Sequence, residues 1–159
     1  MRKRIVGVIG GHFCSGETNE LAEQLGAALS ETADTMVCGG LGGVMESACR
    51  GFRKEGKLTI GIIPGYNKED ANHFVDVVIP TGMGLARNLL VVKSADVVVA
   101  LPGRSGTLSE IAYCLQFDIP VISLNSWDIP GVIKAETIPE AVEKVREMLE
   151  KQNSCEQRR

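Results

Sequence analysis

The stretch ADVVVALPGRSGTLSEIAYCLQF, Ala95 to Phe117, decides how the chain is read. It opens with an apolar, β-branched run, Val97 to Leu101, of the length and composition of a strand buried in a parallel sheet. Pro102, Gly103 and Gly106 break that run, and an amphipathic pattern begins at Thr107. A strand, a glycine loop and a helix start in that order make an anion site. The first helical N–H groups have no intrahelical partner, and the helix dipole adds positive potential there. A phosphate over Gly103–Thr107 would satisfy those donors. Ser105 and Thr107 are either added hydroxyl donors or ordinary turn residues.

Outward from this unit the pattern of strand, turn and helix recurs. Strands are expected at Arg4–Gly10, Thr35–Cys38, Lys57–Ile63, Phe74–Ile79 and Val121–Leu124, with a short edge strand at Val132–Lys134. Helices are expected at Glu17–Ser30, with Leu21, Leu25 and Leu29 on one face, and at Val44–Glu55. A further helix runs from the Pro80-Thr81-Gly82 turn to Ser94, with Leu85, Leu89 and Val92 as its buried stripe. The last is expected from Thr137 to about Lys151. Alternation of this kind implies an α/β fold: a single Rossmann-like, doubly wound, mostly parallel sheet with helices on both faces. Residues 1–152 form that domain, and 153–159 are expected to be a frayed tail.

Ligands of such sheets lie beyond the carboxyl ends of the strands. The glycine turns fall there: Gly10-Gly11 after the first strand, and Gly40, Gly42 and Gly43 after the second. Gly10-Gly11 is either part of a nucleotide site or a plain tight turn, because the spacing is not GxGxxG. Arg87 lies at a helix start, where a cation is unfavourable, so a bound anion or a neighbouring acid must compensate for it.

Composition narrows the function. The chain of 159 residues is 44% hydrophobic with a mean hydropathy of +0.06, enough for one core and against disorder. A net charge of −3 without a lysine/arginine cluster argues against nucleic acid as a partner. No apolar run approaches the roughly 20 residues of a membrane span. The basic start Met1-Arg2-Lys3-Arg4 leads only into a short strand, so a signal peptide is not expected. The five cysteines lack CxxC spacing and read as buried, reduced thiols of a cytoplasmic protein. His12 and His73 have no ligand-spaced companions, so no metal is expected.

Pro102-Gly103-x-x-Gly106-Thr107-x-x-Glu110 is similar to the PGGxGTxxE motif of the Lonely Guy (LOG) family. That family includes phosphoribohydrolases of cytokinin nucleoside monophosphates, and many members carry the label "possible lysine decarboxylase". Cys38-Gly39-Gly40-Leu41-Gly42-Gly43-Val44-Met45 looks like the family's GGGxxGxM turn, and Gly84-Leu85-Ala86-Arg87-Asn88 its arginine-containing helix start. The resemblance spans roughly Arg4 to Asn125. Two positions depart from it: Arg104 replaces the second glycine of PGG, and Asn88 stands where cytokinin-activating members carry lysine. The wording GMGxARN and SADVVVAL is closer to a small branch that also resembles a molybdenum-cofactor carrier protein of algae.

Taken alone, Thr107-x-x-Glu110 is also a capping box, and Thr137-x-x-Glu140 repeats its spacing without a glycine loop. The resemblance implies instead that Glu110 and Arg87 are the catalytic pair of a nucleoside-monophosphate hydrolase. A carboxylate can stabilise an oxocarbenium-like centre or orient water, and arginine can hold a phosphate or stabilise the departing base. Arg104 either adds a guanidinium to the phosphate site or fills the room of a sugar. Lysine decarboxylation needs a Schiff-base lysine, and nothing around Lys93 or Lys134 suggests one. Three function classes follow. The first is hydrolysis of a purine nucleoside 5′-monophosphate with no required cofactor. The second is a non-catalytic carrier of nucleotide or molybdopterin, and the third a nucleotide-sensing module. Family members pair through helices near the site, so a homodimer or higher oligomer is expected.

Overall fold

A computed structural model of the chain describes residues 2–53 and 56–156, with side chains as far as 152. The strands are β1 (Ile5–Ile9), β2 (Thr35–Cys38), β3 (Leu58–Ile63), β4 (Val77–Pro80), β5 (Val97–Ala100), β6 (Val121–Leu124) and β7 (Ile133–Ala135). They form one sheet in the order β4-β3-β2-β1-β5-β6-β7, and every neighbouring pair is parallel. The helices are α1 (Gly16–Leu29), α2 (Val44–Arg53), α3 (Asn88–Lys93), α4 (Ser105–Gln116) and α5 (Ile138–Glu156). The expected Rossmann-like α/β sheet, covered on both faces, is the fold observed.

β5 explains why a run of valines marks the centre. Val97 and Val99 enter the core with α1, α2 and α5, while Val98 and Ala100 enter the core with α3 and α4. Alternate residues of a strand face opposite sides, so a strand covered twice must be apolar throughout. α1 starts at Ser15, whose hydroxyl accepts the Thr18 N–H at 3.2 Å, and buries Ala22, Leu25 and Leu29. Leu21, expected on that stripe, is half-buried. α1 and α2 touch backbone to backbone: a Cβ on Gly51 would fall 1.9 Å from the Glu23 carbonyl oxygen.

Three boundaries differ most from expectation. β4 begins at Val77, because Phe74 and Val75 belong to a turn closed by Val75 N–H to the Asn72 carbonyl. The helix after β4 is split into a 3₁₀ turn, Gly84–Arg87, and α3. The tighter turn breaks the 3.6-residue phase. Leu85 therefore emerges 78% exposed, while Arg87 and Asn88 are buried. α5 continues to Glu156, past the expected end near Lys151. Lys54 and Glu55, placed at the end of α2 from sequence, lie outside the described residues. Cys38, Cys49 and Cys114 are buried free thiols and Cys14 is half-buried; the side chain of Cys155 lies beyond those described.

Candidate functional site

The sheet order reverses between β1 and β5. The helix after β1 lies on one face and the helix after β5 on the other, so their loops part at the carboxyl edge and leave a crevice. The two loops are pinned at its base by Leu101 N–H to the Ile9 carbonyl and Gly11 N–H to the Pro102 carbonyl, each 2.9 Å. The turn after β2 closes one side, where Val44 N–H reaches the Gly11 carbonyl at 3.0 Å. Gly43 makes that approach with φ +68°, and a Cβ there would lie 2.2 Å from the His12 carbonyl oxygen. Gly42 N–H donates to His12 Nδ1 at 3.1 Å, which leaves Nε2 as the donor of that ring.

The crevice opens into a cavity of about 530 Å³. Its buried lining joins the polar Arg87, Asn88, Thr107 and Glu110 to the apolar Met45, and its mouth carries the exposed apolar side chains of Phe13 and Leu85. Gly10, Gly11, Arg104 and Gly106 also line it, as do His12, Leu41 and Met45. Gly40, Gly42, Gly43, Gly103 and Ser105 stand outside the lining. The glycines of the β2 turn are occupied by chain packing: Gly40 against Ile63 and Gly61, Gly43 against the β1 loop.

Arg87 is 6% exposed and ties three segments together. Its Nε donates to the Ile62 carbonyl at 2.8 Å and its Nη2 to the Gly39 carbonyl at 3.2 Å. Its Nη1 donates to Asn88 Oδ1. Gly39 must be glycine for this, since a Cβ would meet Nη2 at 2.6 Å. Asn88 Nδ2 in turn donates to Ser109 Oγ on α4 at 3.2 Å. Burial pushes the Arg87 pKa down and the charge of Glu110 resists this, but arginine starts so high that the cation persists. Backbone carbonyls thus supply the hydrogen-bond partners of this cation, and a neighbouring acid lies within its field.

That acid is Glu110, also 6% exposed. Among the described residues nothing hydrogen-bonds to its carboxyl or ion-pairs with it. Burial lifts its pKa to about 8, against the opposing pull of Arg87. That shift favours the protonated acid at neutral pH.

The capping-box reading fails at this position. α4 starts at Ser105, two residues before the expected start, so Thr107 lies inside the first turn and Glu110 one turn further along. Thr107 Oγ1 has no hydrogen-bond partner among the described residues. The second copy of the pattern does cap: Glu140 N–H donates to Thr137 Oγ1 at 3.3 Å, and Glu140 Oε2 accepts the Glu136 N–H at 2.8 Å. Ser105, Gly106 and Thr107 N–H groups at the start of α4 precede the first intrahelical donor, Leu108, whose N–H reaches the Arg104 carbonyl at 3.0 Å.

Fold and site together define a Rossmann-like domain with an open helix start at its switch point. The chain belongs to the SLOG cluster4 family, whose model matches residues 3–158. It is similar to the molybdenum cofactor binding protein of Rippkaea orientalis, with a TM-score of 0.87 and 36% identity over 94% of this chain and 99% of that one. It also resembles the Moco carrier protein of Chlamydomonas reinhardtii, with a TM-score of 0.84 and 30% identity over 94% and 99% of the two chains. A cytokinin riboside 5′-monophosphate phosphoribohydrolase of Mycobacterium tuberculosis is 32% identical over 124 residues, 70% of this chain and 64% of that protein. The likeness read from the glycine motifs to LOG-type proteins and to molybdenum-cofactor carriers is thus found over most of the chain. No helix among the described residues is long and apolar enough to cross a membrane.

Sequence reasoning reached Gly10, Gly11, Arg87, Arg104, Gly106, Thr107 and Glu110 of the lining but not His12, Phe13, Leu41, Met45 or Leu85, and it noted Asn88 only as a departure from the family pattern. The polar connection after β1 carried no signal for His12 and Phe13. Only the neighbouring of β1 and β5 brings them to the cavity.

Proposed function

We propose that the cavity binds a purine nucleoside 5′-monophosphate and cleaves its N-glycosidic bond, with Glu110 and Arg87 as the catalytic residues. The observation that carries this reading is an unpaired, buried carboxyl held protonated beside a fixed arginine, one helical turn from an open helix start. The phosphate takes the Ser105, Gly106 and Thr107 N–H groups and the Thr107 hydroxyl. One turn of α4 is ~5.4 Å, about the span of a ribose, which sets the glycosidic bond near Glu110. Glu110 donates its proton to the departing base as the bond between C1′ and the base nitrogen breaks. The resulting carboxylate is stabilised by Arg87. Water adds to C1′, and its released proton returns to Glu110, giving ribose 5-phosphate and free base. The bound phosphate and the low-dielectric surroundings both favour the protonated acid that starts the cycle.

Incubation with AMP and its N6-modified forms, followed by chromatography of free base, tests the reading. Base release by the wild type and its loss in Glu110→Gln are expected. Nucleotide binding without base release would favour a second reading, in which the chain carries molybdenum cofactor as cargo. The full-length likeness to molybdenum-cofactor binding proteins supports that alternative, and a mass spectrum of what co-purifies tests it. We also propose a homo-oligomer: Leu58, Val77 and Ile79 share one face of the sheet edge and stay 41–44% exposed, an apolar strip that a second copy would cover. Light scattering at micromolar concentration that finds a monomer would overturn this.

A further inference from the structure

Arg104 stands apart from the other described arginines. Arg2 and Arg4 pair with Asp96 and Asp34, and Arg50 and Arg53 with Glu23 and Asp76. Arg146 pairs with Glu143, and Arg87 is tied to carbonyls. Arg104 is exposed, lines the cavity, and has no hydrogen-bond or ionic partner among the described residues. It occupies the N-cap position of α4, and its side chain makes no cap hydrogen bond. A cation at the positive end of a helix dipole is unfavourable. The fold therefore gains nothing visible from this guanidinium, and the charge there calls for an anion from outside.

A single phosphate does not need it. The N–H groups of Ser105, Gly106 and Thr107 and the Thr107 hydroxyl already offer donors to the three free oxygens of a terminal phosphate. Arg104 lies just ahead of these donors along the chain, and its planar fork suits two oxygens of a further phosphate. The cavity itself points to a ligand independently, through the unpartnered, buried carboxyl of Glu110 in its lining.

We infer that Arg104 is a specificity-determining residue that makes this site select a nucleoside 5′-diphosphate over the monophosphate, the inner phosphate on the start of α4 and the outer one on the guanidinium. This rests on the nucleotide reading above and sharpens its substrate. The reaction at C1′ is unchanged, and the sugar released then carries the diphosphate.

The test is calorimetry of AMP and ADP binding, in EDTA and at fixed ionic strength, to the wild type, Arg104→Gly and Arg104→Gln. A bidentate guanidinium contact predicts ADP binding about tenfold or more tighter than AMP in the wild type. Both variants should lose that preference while AMP affinity stays within about threefold. Equal or tighter wild-type binding of AMP overturns the inference. So does a parallel loss of AMP and ADP in the variants, which would place Arg104 on the first phosphate. Binding of neither nucleotide removes the nucleotide reading and this inference with it; AMP binding without an ADP preference removes this inference alone.

Discussion

Glu110→Gln makes the sharpest test of the site, because it predicts a gain of stability together with a loss of function. Burial lifts the carboxyl from an ordinary 4.5 to about 8. Between those values the unfolded chain has lost the proton and the native chain has kept it. The native state thus binds more protons, and wild-type stability falls as pH rises through that window. At ~1.4 kcal/mol per pH unit the full penalty is about 5 kcal/mol, present above about pH 8 and absent below about pH 4.5. Glutamine has nearly the same shape and does not ionise, so the variant escapes the penalty. The difference in unfolding free energy, variant minus wild type, should climb with pH by ~1.4 kcal/mol per unit and level off near pH 8. Urea denaturation followed by circular dichroism from about pH 5 to about pH 9 reads it directly. Parallel wild-type and variant profiles would show that Glu110 is not held protonated in the native state and would refute the acid assignment. In the wild type, base release should fall as pH rises through about 8, since the proton donor is then lost.

Three other substitutions separate the anion site from the frame around it. Gly103→Ala sets a Cβ 2.0 Å from Thr107 Oγ1, so the loop must move, and AMP affinity measured by calorimetry should fall about tenfold or more. Thr107→Val removes a hydroxyl that bonds to no group among the described residues and should weaken AMP binding at unchanged stability, whereas Thr137→Ala removes a working cap and should cost ~1 kcal/mol in urea denaturation without touching binding. Trp127, the one tryptophan of the chain, donates Nε1–H to the Gly103 carbonyl at 3.1 Å. Its fluorescence should respond to AMP, and Trp127→Phe should weaken AMP binding several-fold; a silent titration with affinity intact would refute a role in holding the loop.

The strands were legible because a doubly covered parallel strand has one solution, an unbroken apolar run such as Val97–Leu101. What could not be read was whatever depends on phase or on strand order. The 3₁₀ turn at Gly84–Arg87 shifts the helical phase, so Leu85 turns out and Arg87 with Asn88 turns in, the reverse of the 3.6-residue pattern. Thr107-x-x-Glu110 and Thr137-x-x-Glu140 are the same words with different meanings, because the first lies inside its helix and the second at its border. The glycines after β2 announced an unusual backbone, yet sequence does not say whether such a backbone serves a ligand or another strand's loop. Here Gly43 serves the loop after β1.

A buried arginine beside a buried, unpaired carboxyl is an arrangement that folding alone does not favour, since apolar residues of similar volume are often neutral or stabilising in such places. Arg87 escapes that argument: its guanidinium joins the chain after β2, the end of β3 and the start of α3, and its loss would leave the Ile62 and Gly39 carbonyls without that donor. Glu110 does not escape it. Nothing among the described residues bonds to its carboxyl, the Arg87 cation only partly offsets its desolvation, and it lines the cavity. The two residues of the proposed pair are therefore unequal. Arg87 has a structural reason to be where it is and lends its charge to the site, whereas Glu110 has a reason only if something enters the cavity and takes its proton.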